Sequence, residues 1–123
     1  VVRIGNEDDL QKIKYWVTAF NDPRWVCYSR QGSLGFNLSL AQHAALIVTP
    51  DTSWVHVASA LKKPVVAIYR EDEAHEKNSL IWSPYKTKNV VVYAPFDQTR
   101  PHDINTVDTS QVLAGVERLL TDI

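Results

Sequence analysis

Residues Leu46–Tyr69 read LIVTPDTSWVHVASALKKPVVAIY. An apolar run, Leu46-Ile47-Val48, ends in Thr49-Pro50. Asp51, Thr52 and Ser53 follow, and all three are residue types that cap helices. Val57, Ala58, Ala60 and Leu61 carry a helix on, with His56 in its first turn. Lys62-Lys63-Pro64 stop it, because cations suit a helix C-terminus and proline cannot continue a helix. Val65–Tyr69 is a second continuous apolar, β-branched run. Two strands apolar throughout, joined by a helix, form a βαβ unit of a parallel sheet. The Thr49–Ser53 turn then lies at the C-terminal end of its strand, where open α/β sheets bind ligands. A helix N-terminus there offers unbonded N–H groups and a positive dipole end, which favour phosphate.

The flanking sequence extends the alternation. Val1–Ile4 reads as a strand and Asn6–Asp9 as a capping region. Leu10, Ile13, Val17 and Phe20 share one face of a helix that Asn21-Asp22-Pro23 breaks. Trp25–Tyr28 is a strand, followed by a loop with Gly32 and Gly35. Asn37 or Ser39 then caps a short helix through Ala45. Beyond the central unit, Glu71–Lys88 reads as a long polar loop and Val90–Tyr93 as a strand. Ala94–Thr106 is a second loop. Asp108-x-x-Gln111, a variant capping box, opens a terminal helix with Val112, Val116 and Leu119 on one face. The expected fold class is α/β, a Rossmann-like open parallel sheet with flanking helices.

Composition narrows the function classes. With 123 residues the chain is at most one domain, and 45% hydrophobic with 22% charged residues is ordinary globular composition. A net charge of −1 from interspersed charges gives no electrostatic case for nucleic acid or a strongly anionic membrane. The single Cys27 excludes an internal disulfide and fits a reducing compartment. Within an apolar strand it reads as inert core. No segment has the apolar length to span a bilayer, and no Gly-rich dinucleotide fingerprint, Walker loop or Ser-His-Asp set is present. The chain has no Met and opens inside an apparent strand, which reads as a piece of a longer protein.

Asp51-Thr52-x-x-x-His56, leading into Ala58-x-Ala60-Leu61-x-x-Pro64-Val65-Val66-Ala67, resembles the D-[ST]-G-x-x-H-x-A-A-A-L-x-x-P-x-V-A pattern of glycosyltransferase family 9. These are the ADP-heptose:lipopolysaccharide heptosyltransferases and their relatives. Weaker similarity covers Leu38–Ala45 and Val112–Leu120. Ser53 stands where the family usually has Gly, and Arg70-Glu71-Asp72 where it usually has Gly-Pro-Thr.

The resemblance implies one half of a GT-B fold. Residues 1–123 would be a single Rossmann-like donor-binding domain, a C-terminal fragment of a longer enzyme. It implies the donor-binding half of an inverting transferase in lipopolysaccharide or lipooligosaccharide core biosynthesis. Its partners would be a nucleotide-diphosphate sugar resembling ADP-heptose, and a lipopolysaccharide core acceptor held by an N-terminal domain outside this chain. Nucleic acid is not among them. No metal or other cofactor is implied. The catalytic base belongs to the other domain, so no catalytic residue is expected here and this fragment alone should be inactive. The implied location is the cytoplasm, with peripheral contact of the full-length enzyme to the inner membrane left open. The family's nucleotide-sugar half normally begins with a strand–helix unit that has no counterpart in this sequence; if Val1–Ile4 is the second strand, the sheet would hold a gap or borrow a strand. Two rival readings stand beside this one. They are another GT-B enzyme such as a nucleotide-sugar epimerase, and a non-catalytic nucleotide-binding α/β module.

For each candidate residue a ligand role competes with a plain one. Asp51 is suited to sugar or ribose hydroxyls, and equally to capping a helix. Thr52 and Ser53 can donate to a diphosphate, or cap. His56 in the first turn can hydrogen-bond phosphate or a sugar hydroxyl, or serve the helix structurally. Glu7 lies where the family carries an acidic ribose-binding residue, yet a carboxylate also suits a first helical turn. Arg70 can pair bidentately with phosphate, or be a solvated loop cation. Trp54 can stack on a base or sugar, or pack beside the helix. Glu71, Asp72, Glu73, His75 and Glu76 match no metal-ligand spacing and read as a solvated charge run. His43 reads as a packing residue.

Overall fold

A computed structural model describes residues 2–3, 7–27, 33–72, 79–100 and 103–122. Asn6, Tyr28, Gly32, Glu73, His75 and Glu76, singled out above, lie outside them, as do Val1 and Ile4. The chain forms two compact units, Val1–Asn37 and Leu38–Ile123. All strand pairings among the described residues are parallel.

The N-terminal unit pairs β1 (Val2–Arg3) with β2 (Val26–Cys27), linked by α1 (Glu7–Phe20). Leu10 and Ile13 of the expected apolar stripe are buried and Val17 is half-buried. Phe20 is exposed instead, and its ring packs on Trp25 at 5.1 Å. The stripe fails at its last turn because the helix ends there. Asn21 takes φ 46°, a left-handed conformation that Asn tolerates better than most residues. Cys27 is half-buried.

α2 (Leu34–His43) starts earlier than the sequence suggests. The Ser33 hydroxyl accepts from Phe36 N–H at 3.2 Å, so Ser33 caps the helix rather than Asn37 or Ser39. Gly35, expected in a loop, is therefore helical. The helix closes at His43, whose Nδ1 lies 2.8 Å from the Ser39 carbonyl.

In the C-terminal unit a parallel sheet has the order β3-β4-β5, from Ile47–Pro50, Val65–Arg70 and Asn89–Ala94. Ile47 pairs with Val65 and Pro50 with Ile68, while Val65 pairs with Asn89 and Arg70 with Ala94. β4 is central, and Val65, Val66, Ala67 and Tyr69 are all 0% exposed. Its alternation feeds two cores. Val65, Ala67 and Tyr69 pack with Val55 and Ala58 of α3 (Ser53–Ala60). Val66 packs on the opposite face with Val92 and with Leu119 of α5 (Thr109–Thr121), flanked by Val112 and Val116. A strand covered on both faces has no solvent side, hence its unbroken apolar sequence.

The helix ends follow the local chemistry. The Thr52 side chain caps α3, accepting from Trp54 N–H at 3.3 Å. Lys62 at φ 53° turns the chain out of the helix. Asp108 caps α5, accepting from both the amide and the hydroxyl of Ser110. The expected Glu71–Lys88 loop contains a short helix, α4 (Ser79–Trp82). The stretch after it is tied along α3. Tyr85 N–H donates to the Ser59 hydroxyl at 2.9 Å, and the Thr87 hydroxyl donates to the Lys63 carbonyl at 2.7 Å. These tertiary bonds join distant residues, so no local pattern announces them.

Two stability tests follow from this packing. Thr52→Ala should cost about 1 kcal/mol in chemical denaturation, through loss of the α3 cap. At Gly115 a Cβ would meet Val90 Cγ1 at 3.0 Å and Val66 Cγ2 at 3.4 Å, so α5 approaches the sheet through this glycine. Helix propensity alone favours valine over glycine by a few tenths of a kcal/mol. Overpacking should reverse that sign, and Gly115→Val should destabilise by about 1–3 kcal/mol. A stabilised Gly115→Val variant would show that the helix can back away.

Candidate functional site

Pro50 ends β3 and the chain turns through Asp51 and Thr52 into α3. Two hydroxyls hold this turn. Buried Thr49 donates from Oγ1 to the Pro50 carbonyl at 3.0 Å, and the Thr49 and Thr52 Oγ1 atoms lie 3.0 Å apart in a second hydrogen bond. Thr52 is extended, with φ −139° and ψ 176°, as an N-cap requires. Its hydroxyl takes Trp54 N–H and its carbonyl takes Val55 N–H at 3.1 Å. The first helical N–H groups have no acceptor within the helix, and the Ser53 amide meets no backbone acceptor among the described residues.

Asp51, Thr52 and Ser53 are exposed around this turn, and His56 is exposed one turn into α3. The turn stands at the C-terminal end of the sheet, as the sequence required. Ser53 adopts helical geometry, and among the described residues positive φ occurs elsewhere, at Asn21, Lys62 and Lys86. The backbone therefore does not demand a glycine at position 53, and the serine is accommodated without strain.

An aromatic neighbour escaped the sequence reading. The Trp82 ring lies edge-on to the His56 ring, with centroids 6.3 Å apart and planes at 73°. Trp82 is held from below by Tyr69, whose hydroxyl donates to the Trp82 carbonyl at 2.6 Å. Burial pushes the Tyr69 phenol up to about 12, with further contributions from the negative charge of Asp51 and from Tyr93. The Tyr69 hydroxyl thus stays a protonated donor at neutral pH. Trp54, the tryptophan expected beside the turn, is half-buried in the first turn of α3. No spacing rule connects Trp82 to His56. The only sequence sign was an aromatic in a polar stretch.

The remaining candidates are placed differently. Arg70 ends β4, at the same edge of the sheet as Asp51. Strand alternation puts it on the α5 side, in phase with Val66 rather than with Tyr69. Glu7 is the first residue of α1, in the N-terminal unit. The structure therefore groups Asp51, Thr52, Ser53 and His56, adds Trp82, and puts Arg70 on the opposite face of the sheet. Glu71 and Asp72 follow β4 directly. Among the described residues no three His, Cys, Asp or Glu side chains converge on a common point that a metal could occupy. No helix among them is long and apolar enough to cross a membrane.

Comparison with known proteins bears on the same segment. No solved structure matches the chain. "Putative lipopolysaccharide heptosyltransferase 4" of Escherichia coli K12 is 29% identical over 85 residues, which is 68% of this chain and 22% of that protein. The chain thus spans about a fifth of the length of the curated relative it matches. The family model described as "Glycosyltransferase family 9 (heptosyltransferase)" matches residues 33–109, which contain the turn, α3 and Trp82. With that match over more than half of its length, the chain belongs to glycosyltransferase family 9.

Proposed function

We propose that this chain supplies the nucleotide-sugar donor site of a glycosyltransferase that builds the lipopolysaccharide core, with an ADP-heptose-like donor. One observation carries the reading: the N-terminus of α3 opens at the C-terminal end of a parallel strand, with Asp51, Thr52, Ser53 and His56 exposed around it. The donor's diphosphate would sit on the α3 N-terminus, near the Ser53 amide and hydroxyl. Asp51 would accept from donor hydroxyls, and His56 would donate to phosphate or to a sugar hydroxyl. Arg70, at the end of β4, is a candidate for the outer phosphate.

The reaction divides between this chain and the rest of the enzyme. An acceptor hydroxyl attacks the anomeric carbon, the bond from that carbon to the diphosphate oxygen breaks, and the configuration inverts. The hydroxyl proton passes to a base in the acceptor-binding part. Negative charge gathers on the departing diphosphate, and a helix N-terminus is fixed in advance to stabilise it. The full-length enzyme would work in the cytoplasm, at or near the inner membrane that carries its acceptor.

Asp51→Ala and His56→Ala should each weaken nucleotide-diphosphate binding by about 1–3 kcal/mol, the range for losing a charged or buried hydrogen bond. Calorimetry on folded full-length protein measures this, and unchanged affinity in both variants returns the residues to capping and packing. The chain on its own should not transfer sugar, because a donor site alone cannot hold an acceptor in line. Mass spectrometry after incubation with ADP-heptose and deacylated lipopolysaccharide checks this. Turnover close to that of the full-length enzyme would overturn the division of labour.

A further inference from the structure

We propose that Trp82 forms an aromatic wall of the donor site, taking the C–H face of the glycosyl group while Asp51 and His56 take its hydroxyls. The inference rests on the donor reading above and adds a residue and a contact to it.

Three observations place Trp82 there. Its ring stands 6.3 Å from that of His56, one helical turn from the α3 N-terminus. It remains 57% exposed, so its surface is open to a ligand. Its backbone is nonetheless fixed, because the hydroxyl of Tyr69, a side chain with 0% exposure, donates to the Trp82 carbonyl at 2.6 Å. Three residues on, the Tyr85 amide is anchored to the Ser59 hydroxyl of α3. An exposed indole on a loop loses little by moving, whereas this one is held beside α3 from two sides.

The chemistry of the grouping selects the occupant. An aromatic face carries negative charge density and attracts polarised C–H groups. A carboxylate accepts hydrogen bonds from hydroxyls, and an imidazole donates to them or accepts from them. A pyranose presents both kinds of surface, an apolar C–H face and a rim of hydroxyls. A purine offers a flat face but few donors for a carboxylate. The combination of Asp51, His56 and Trp82 therefore fits the sugar end of the donor better than its base, while the diphosphate lies at the α3 N-terminus between them. Tyr69 is a positioning residue, acting through the Trp82 carbonyl.

The test compares ADP-heptose with ADP by calorimetry on full-length wild type, Trp82→Ala and Trp82→Phe, each checked for an unchanged thermal unfolding midpoint. Trp82→Ala should weaken ADP-heptose binding by about tenfold, the upper range of a single aromatic contact. It should change ADP binding less than about twofold, and Trp82→Phe should recover most of the loss. Equal weakening of both ligands would make Trp82 a support of the turn and overturn the proposal. Unchanged binding of both would overturn it too, as would a wild type that binds ADP-heptose no better than ADP. A wild type that binds neither ligand would instead defeat the donor reading itself.

Discussion

The burial of β4 is the constraint on which the C-terminal unit depends. Its backbone has no water on either face, so its N–H and C=O groups must find partners in the sheet. β3 supplies them on one side and β5 on the other, both in parallel. Parallel pairing obliges each connection to cross from the end of one strand to the start of the next. α3 and the stretch from Glu71 to Lys88 are those crossings, and they are tied to each other by the Tyr85–Ser59 and Thr87–Lys63 hydrogen bonds. The pairing of Pro50 with Ile68 then fixes the level at which the Asp51 turn leaves the sheet.

That turn shows how a stable scaffold presents exposed polar groups. Thr49 is a buried polar residue, and its hydroxyl is spent on the Pro50 carbonyl and on Thr52. A buried hydroxyl left unbonded is costly, so these bonds lock the turn rather than decorate it. The locked turn holds Asp51, Ser53 and His56 at the surface without needing them for the core. Residues placed this way are available for a ligand, and the stability of the fold does not depend on their occupation.

Membership of glycosyltransferase family 9 gives the two departures from the family pattern a physical meaning. The helical geometry at Ser53 removes any backbone need for glycine, so the serine adds a hydroxyl beside the α3 amides. Where the family pattern has Gly-Pro-Thr, this chain has Arg70 as the last residue of β4 and Glu71 and Asp72 directly after it. Glu71 N–H still bonds the Ala94 carbonyl at 2.9 Å, so the strand's hydrogen bonding continues into this segment.

The sequence determined the elements whose signals are local. Unbroken apolar runs marked β3, β4 and β5, because strands in a parallel sheet show little polar alternation. The Asp51–Ser53 cluster and Asp108 marked helix starts, because capping is a bond between near neighbours. Asp51, Thr52, Ser53 and His56 were found together for the same reason, since they lie within two turns of chain. The start of α2 was misread because Ser33, Asn37 and Ser39 are all able to cap, and the choice among them is made by packing. Only the tertiary structure set Trp82 beside His56, through a bond from Tyr69 that spans thirteen positions of chain. It also put Arg70 on the α5 side, through the phase of a strand whose two faces are both apolar and so leave no mark in the sequence.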